Sequence, residues 1–286
     1  MNHPAEVAIH TFLQNVMLGK ASMDKDILNL ISKDVEEALG RQFSGEKRKF
    51  KLRMSNIGRK KCQLWFEKNH PDEKISDSPY FLINMILGDI IEAVFKGLLR
   101  AADVPFGDSE QVSLPLEGGH VDGTYDLVLN GKVDDVKSAS PWAYENKFTD
   151  FETLQSKDSF GYVSQLVGYS KAKGVPVGGW WVVNKANGNF KYISASGVNA
   201  EEELKKIQDT VDYIKNDEPF ERCYEPVAET YYGKPSGNMK LGIECSLCSY
   251  REKCWDSLQV LPSKVSKSAT PPLINYVKLA DAQDTL

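Results

Sequence analysis

The sequence is short of cysteine and histidine and has no uninterrupted apolar run, and each shortage excludes a class of function. Five cysteines in 286 residues, read in a reducing compartment, argue against a disulfide framework and leave metal or cluster binding open. Four histidines, His3, His10, His70 and His120, show no pairing that suggests a nucleophilic triad or a zinc site. No glycine-rich loop runs into Lys-Ser/Thr, so nothing points to a nucleotide-driven motor. The most apolar stretch, YFLINMILGDIIEAVFKGLL, is broken by Asn84, Asp89 and Glu92 and does not read as a membrane span. A secretory signal, a basic region followed by a long apolar one, is also lacking. These absences predict a soluble cytoplasmic protein with no membrane partner.

The net charge of −5 excludes a generic polyanion binder, but the charge is unevenly spread. Between Arg41 and Lys61 stand nine basic residues (Arg41, Lys47, Arg48, Lys49, Lys51, Arg53, Arg59, Lys60, Lys61) and one acid, Glu46. Such a cluster attracts phosphate backbones; a solvated charge run is an equally good reading.

Apolar spacing predicts two helices over 4–40, the second spanning 23–39. Ser55 is a candidate cap for a helix through Cys62, Trp65 and Phe66. Asp77 or Ser78, with Pro79, opens a long helix to about Arg100. Residues 109–138 read as three antiparallel strands, 160–173 as a helix, and 179–184 and 190–194 as strands around Asn187-Gly188. An amphipathic helix follows over 201–216, then a cysteine-rich element over 245–254. No internal repeat is visible. This order predicts one mixed α/β domain over 1–260: a helical and basic part (1–75), a core (76–215) and a cysteine-rich part (216–260), with helical extensions at both ends and a polar tail over 261–286.

The most informative stretch is GTYDLVLNGKVDDVKSAS, 123–140. Asn130-Gly131 suits a two-residue type I′ turn between β-rich runs. That turn pairs Leu129 with Lys132, Val128 with Val133 and Asp126 with Asp135. The two aspartates then share a face, Cβ atoms roughly 5 Å apart, and Lys137 falls on that face by alternation. Tyr125, Leu127, Leu129 and Val136 fall on the other, a core side. Like charges placed opposite one another are destabilising unless a cation sits between them, and aspartate oxygens are hard ligands suited to Mg²⁺ or Mn²⁺. A polar outer face on a solvated hairpin, or a one-residue register slip, are the plainer alternatives.

Two helices carry further signals. Glu92 stands among Ile90, Ile91, Ala93, Val94 and Phe95, where a carboxylate is expensive unless paired or metal-bound. Its plainer reading is a wet stripe, Asp89–Glu92–Lys96, of simple ion pairs. Gln165 and Tyr169, four apart, share a helix face. In order, Gly88-x3-Glu92, Gly123-x2-Asp126, Asp135-Val136-Lys137 and Gln165-x3-Tyr169 resemble the motif set of RecB-type nucleases in the PD-(D/E)XK superfamily, over about residues 80–200. The chain departs from the CRISPR-associated members, which usually carry histidine where Glu92 stands. Glutamate occurs there in phage recombination exonucleases of the same fold, and Asp89 is a substitute ligand to consider.

The resemblance implies a restriction-endonuclease-like core, a mixed central sheet flanked by helices. It also implies a metal-dependent DNA exonuclease acting on single-stranded DNA or DNA ends in recombination, repair or CRISPR-type processing. Glu92, Asp126 and Asp135, with the Val136 carbonyl, would hold Mg²⁺ or Mn²⁺. Lys137, Gln165 and Tyr169 would complete the catalytic group. A non-catalytic metal-stapled DNA-binding module and a structure-specific endonuclease are the alternatives. Any helicase or recombination partner must be a separate chain.

The cysteines bear on the same comparison. Cys245-x2-Cys248-x5-Cys254 and the distant Cys62 supply the four thiolates a cluster needs. The arrangement resembles the iron–sulfur staple of AddB-type and CRISPR-associated RecB-like exonucleases, which implies a 4Fe–4S cluster clamping the N-terminal helices to the C-terminal end. The spacing by itself reads as structural Zn²⁺ or as no metal at all, with Zn²⁺ the rival occupant. Cys223 is left over and reads as an ordinary thiol. Trp142, Tyr144, Trp180, Trp181, Tyr231 and Tyr232 are candidates for base stacking, against a core role for each.

Overall fold

Ser78 and Pro79 decide where the longest helix begins. The Ser78 hydroxyl accepts from the Tyr80 amide, and proline fills the first helical position, where no N–H is needed. The computed structural model describes residues 3–45, 49–76, 78–264 and 266–280. Asp77, the other candidate opener, and Glu46, Lys47 and Arg48 of the basic stretch lie outside the described residues.

In chain order the first half holds α1 (Pro4–Met17), α2 (Lys25–Gln42), α3 (Lys61–Asn69), α4 (Pro79–Ala101), β1 (Phe106–Gly107), β2 (Glu110–Leu116), β3 (Gly119–Tyr125), β4 (Leu127–Leu129) and β5 (Lys132–Ala139). Then come α5 (Pro141–Asn146), α6 (Phe151–Ser156), α7 (Tyr162–Lys173), β6 (Val177–Asn184), β7 (Phe190–Ser194) and α8 (Ala200–Lys215). The chain closes with β8 (Val227–Tyr231), β9 (Lys234–Lys240), α9 (Ile243–Ser246), α10 (Arg251–Cys254), β10 (Gln259–Pro262) and β11 (Leu273–Lys278). Backbone contacts divide it into two compact units: Met1–Gly58 with Ser78–Asp212, and Arg59–Asp77 with Tyr213–Leu286. The single domain expected over 1–260 does not anticipate this division.

The first unit is a mixed α/β structure. Its five-stranded sheet runs β1-β4-β5-β6-β7; β5 and β6 are parallel and the other pairs antiparallel. β2 and β3 form a separate two-stranded ribbon. Helices cover both faces. Leu127, Leu129, Val136 and Trp181 pack with Ala5, Ile9, Phe95 and Leu99 of α1 and α4. Val133, Ala139, Trp180 and Val182 pack with Leu166 and Tyr169 of α7 and Ile207 and Val211 of α8. Trp180 and Trp181, adjacent on β6, therefore serve opposite cores, as strand alternation requires. Among the described residues no helix is long and apolar enough to cross a membrane.

Ser55 does not cap a helix. The 53–56 segment is a turn, closed by the Arg53 amide donating to Asn56 Oδ1. Beyond it, Gly58 lies so close to Gly161 that a Cβ on Gly58 would sit 2.5 Å from the Gly161 backbone. The turn continues to Gly58, and α3 starts only at Lys61, with no side-chain cap.

The second unit departs from the expected helical extension. β8, β9, β10 and β11 form an antiparallel sheet in the order β10-β11-β9-β8, so the 261–286 stretch read as a polar tail carries strand structure. The β8–β9 hairpin turns on Tyr232-Gly233, both at positive φ, a two-residue turn of the I′ kind written without the usual Asn or Asp. Tyr276 is buried in this sheet and donates to Glu229 Oε1 at 2.7 Å.

Candidate functional site

Two residues of left-handed backbone, Asn130 (φ 51°) and Gly131 (φ 73°), close the β4–β5 hairpin. The register follows: Leu129 opposite Lys132, Val128 opposite Val133 and Leu127 opposite Asp134. One position further out Asp126 stands in a bend, and its side chain meets that of Asp135. The chain bends at Asp126 between β3 and β4, and this returns Tyr125 to the α7 side of the sheet instead of the Leu127 side expected for it. Asp126 Oδ2 accepts from the Val136 amide at 2.7 Å, which fixes its carboxylate across the strand pair.

Asp135 is 2 % exposed and points into the α7 face. The Lys137 ammonium lies 2.6 Å from its Oδ2 and 2.9 Å from its Oδ1. Burial raises the Asp126 carboxyl well above the usual carboxylate range, and the Glu92 and Asp135 charges push the same way. Burial raises Asp135 also, with Lys137 pulling against it. For Lys137 burial opposes the charge, but Asp135 and Asp126 outweigh it and hold the ammonium above the ordinary lysine range. The hairpin therefore concentrates carboxylates against one cation in a dry setting.

Glu92 comes from α4, and its charge reaches both aspartates. It is already ion-paired: Lys96, 5 % exposed and one turn on, lies 2.6 Å from Glu92 Oε1. Half of the stripe reading therefore holds. Asp89 does not join the group. Its Oδ2 accepts from Gln42 Nε2 at 2.9 Å and lies 3.6 Å from Arg41, so it ties α4 to α2.

α7 supplies the opposite wall. Gln165 Oε1 accepts from Lys137 at 3.4 Å, and Gln165 Nε2 donates to Tyr169 Oη at 3.3 Å. Gly123 explains the fit: a Cβ there would sit 2.5 Å from Met54 and 2.8 Å from Tyr169 Cε1. Burial holds the Tyr169 hydroxyl above its ordinary range. Glu92, Asp126, Asp135, Val136, Lys137, Gln165 and Tyr169 thus belong to one neighbourhood of the first unit. Lys96, read in sequence as the i+4 ion-pair partner of Glu92, joins them, and one further member escaped the sequence reading. The Tyr162 ring, 4.9 Å from the Lys137 ammonium, carries no sequence signal.

On the other face of β5 sits a carboxylate of a different kind. Asp134 accepts from the Gly179 amide (2.8 Å), Trp181 Nε1 (3.1 Å) and Tyr192 Oη (3.1 Å). Burial lifts it to about 7 against those three donors.

Ion pairs take several members of the basic stretch: Arg41 with Asp89, Lys51 with Asp122 at 2.8 Å, and Arg59 with Glu67 at 3.2 Å. Of the aromatic candidates, Trp180, Trp181 and Tyr144 are buried core residues and cannot stack on bases. Tyr231 is half-buried, while Trp142 and Tyr232 are exposed.

All five cysteines lie in the second unit, and all are free thiols. α3, which carries Cys62, packs on the cysteine-rich element: the Phe66 ring stacks on Tyr250 at 5.4 Å, and the Ile75 amide donates to the Ser249 carbonyl at 2.8 Å. Burial, then neighbouring thiols, push Cys245 up to about 11. Cys223 is a free thiol that meets Cys62. It accepts from the Cys62 amide at 3.2 Å, and its hydrogen bond with the Cys62 thiol draws it down to about 6.

Among the described residues no three His, Cys, Asp or Glu side chains are gathered into a metal-binding shell. The donors that are present are hard carboxylate oxygens at the hairpin, where burial and then the Glu92 and Asp135 charges raise Asp126, and soft thiols in the second unit. No family model and no curated protein matches this chain. Among solved structures, that of SSO0001 is similar over 80 % of this chain and 96 % of its own, at 13 % identity and a TM-score of 0.41. A likeness of that size carries no assignment.

Proposed function

We propose that the chain is a divalent-metal-dependent deoxyribonuclease of the RecB type, with the PD-(D/E)XK core, acting as an exonuclease on single-stranded DNA or DNA ends. One observation carries this reading: Asp126 and Asp135, opposed on a hairpin and electrostatically opposed to each other, share a buried face with Lys137. Mg²⁺ or Mn²⁺ held by Asp126, Asp135 and Glu92, with the Val136 carbonyl as a further oxygen, would polarise the scissile phosphate and stabilise the leaving oxygen. The chain's own residues supply the rest. Lys137 keeps its proton beside Asp135 and so offsets negative charge developing on the phosphate; a lysine held above its ordinary pKa is a poor base. Gln165 fixes Lys137, and Tyr169 fixes Gln165. The positive charge over 41–61 attracts the phosphate backbone. Cys62, Cys245, Cys248 and Cys254 would hold a 4Fe–4S cluster, or Zn²⁺ in its place, as a structural clamp.

The test is cleavage of end-labelled linear single-stranded DNA in Mn²⁺, Mg²⁺ or EDTA, beside Asp126→Ala. Metal-dependent cutting lost in the variant supports the assignment, and full activity in the variant overturns it. A second reading, a DNA-binding module that does not cut, is favoured by the ion pairs that occupy Asp135 and Glu92. Binding without cleavage in any metal would establish it. A circular substrate separates an exonuclease from an endonuclease.

A further inference from the structure

Tyr162 is the middle one of three near-parallel rings. It stacks on Phe148 with centroids 6.0 Å apart and planes 23° apart, and on Phe160 at 5.6 Å and 14°. Phe148 is buried, Tyr162 is half-buried and Phe160 is 54 % exposed, so the row runs from the core to the surface. Two ammonium groups lie against it. Lys137 is 4.9 Å from the Tyr162 centroid; Lys147, itself buried, is 4.4 Å from Tyr162 and 5.0 Å from Phe160. The loop that carries Phe160 is pinned. Asp158 accepts from the Gly161 amide through Oδ1 and from the Val163 amide through Oδ2, each at 2.9 Å, and its Oδ1 lies 4.0 Å from the Lys147 ammonium. Gly161, at positive φ, packs backbone to backbone on Gly58. An exposed ring on a loop held this way loses little freedom when a ligand covers it.

We propose that Phe160 is a stacking platform for an unpaired nucleobase of the strand whose phosphate lies at Lys137. The inference rests on the nuclease reading of that site and deepens it, because it ties the choice of a single-stranded substrate to one residue. Phe160 stands one ring beyond the ring that Lys137 touches, so a strand with a phosphate at the lysine brings a neighbouring base to the exposed end of the row. Every base has a π-face, and a base of a single strand is free to continue a stack of rings. A base inside a duplex is not, since its neighbours already cover both faces. The ammonium groups along the row offset the charge of the backbone that carries the base in.

The experiment compares the full-length chain with Phe160→Ala, Phe160→Leu and Phe160→Trp. Binding of a labelled oligothymidylate, and of a blunt duplex of the same length, is followed by fluorescence anisotropy in EDTA, so that neither cleavage nor a metal enters the measurement. The expected result is single-strand binding weaker by about five- to hundredfold in the alanine and leucine variants, with duplex binding unchanged. The tryptophan variant should bind the single strand as tightly as the wild type or more so. Leucine keeps an apolar side chain without a flat face, so a leucine variant that binds like the wild type overturns stacking. Wild-type binding in Phe160→Ala overturns the platform, and so does an equal loss for single strand and duplex. Cleavage in Mn²⁺, run beside these, keeps the two readings apart. A wild type that binds single strands through Phe160 but cuts nothing overturns the nuclease and leaves the platform. A wild type that cuts, beside a Phe160→Ala that binds as well, overturns the platform alone. A wild type that binds no single strand overturns both. If Phe160→Ala is recovered unfolded by near-ultraviolet circular dichroism, Phe160→Leu decides on the same criteria.

Discussion

Lys137 lies 2.6 Å from Asp135 Oδ2, two residues away on the same strand face, and Asp126 meets Asp135 from the bend before the neighbouring strand. Three charges that water would keep apart are held together by a two-residue turn. Burial and its acidic neighbours raise the Asp126 carboxyl well above the usual carboxylate range, so its charged form costs the fold stability, and its hydrogen bond from the Val136 amide needs only an oxygen. Asp126→Asn should therefore abolish metal-dependent cleavage while leaving stability unchanged or raised by about 1 kcal/mol. The asparagine keeps an oxygen for the Val136 amide. Urea denaturation beside the cleavage assay checks both halves, and a variant both active and destabilised would refute the assignment.

The Glu92–Lys96 pair makes a second case. Replacing Lys96 by methionine leaves the Glu92 charge facing Asp126 and Asp135 uncompensated. The expected cost is about 1–3 kcal/mol, the lower end reflecting the partial exposure of Glu92. If the three carboxylates take a divalent ion, Mn²⁺ should raise the Tm of Lys96→Met more than that of the wild type. Equal shifts would separate Glu92 from the metal group.

Gly123 leaves no room for a side chain. Gly123→Ala drives a methyl into Met54 and Tyr169 and should cost about 1–3 kcal/mol by overpacking. It should also lower kcat, because Tyr169 holds Gln165 and Gln165 holds Lys137. Stability and kcat both at wild-type values would show that this contact matters to neither.

Asp134 gives the chain a pH signature separate from catalysis. Its folded pKa, about 7, stands above its ordinary value of 3.8. The folded state therefore keeps a proton that the unfolded state releases over this window. The stabilising contribution is complete below about pH 4 and is lost as the pH rises to about 7, at roughly 1 kcal/mol per pH unit. Asp134→Asn does not titrate, and it sets an amide against Trp181 Nε1–H, so it should be the less stable chain at low pH. The gap to wild type should close as the pH rises. Parallel stability–pH curves for the two would refute this.

The hairpin was legible because its information is local: Asn130-Gly131 sets the register, and the register sets which side chains meet. Glu92 was legible as a charge in an apolar helix. The reach of Gln165 to Lys137 followed only from the order of motifs, since nothing in the helix itself says which strand it covers. Lys96 was legible as the i+4 partner of Glu92, whereas Tyr162 and the Cys62–Cys223 contact were not, because each depends on a long-range approach that leaves no periodic trace. The C-terminal sheet was missed for a different reason. Its hairpin turns on Tyr232-Gly233, and a tyrosine at positive φ is not a turn signal in sequence.

The parallel pairing of β5 with β6 also sets the order in which the site comes into being. The β4–β5 hairpin closes over a two-residue loop, whereas β6 reaches β5 only after α5, α6 and α7 have been threaded across the sheet. Local closures form in microseconds and long crossovers are far slower. The opposed aspartates therefore meet early, on a hairpin still open to water. The lysine clamp that Gln165 provides, and the dry wall of α7, arrive last. On the nuclease reading, competence to cut would be a property of the finished domain, and a truncated or half-folded chain would carry the acidic pair without its lysine clamp.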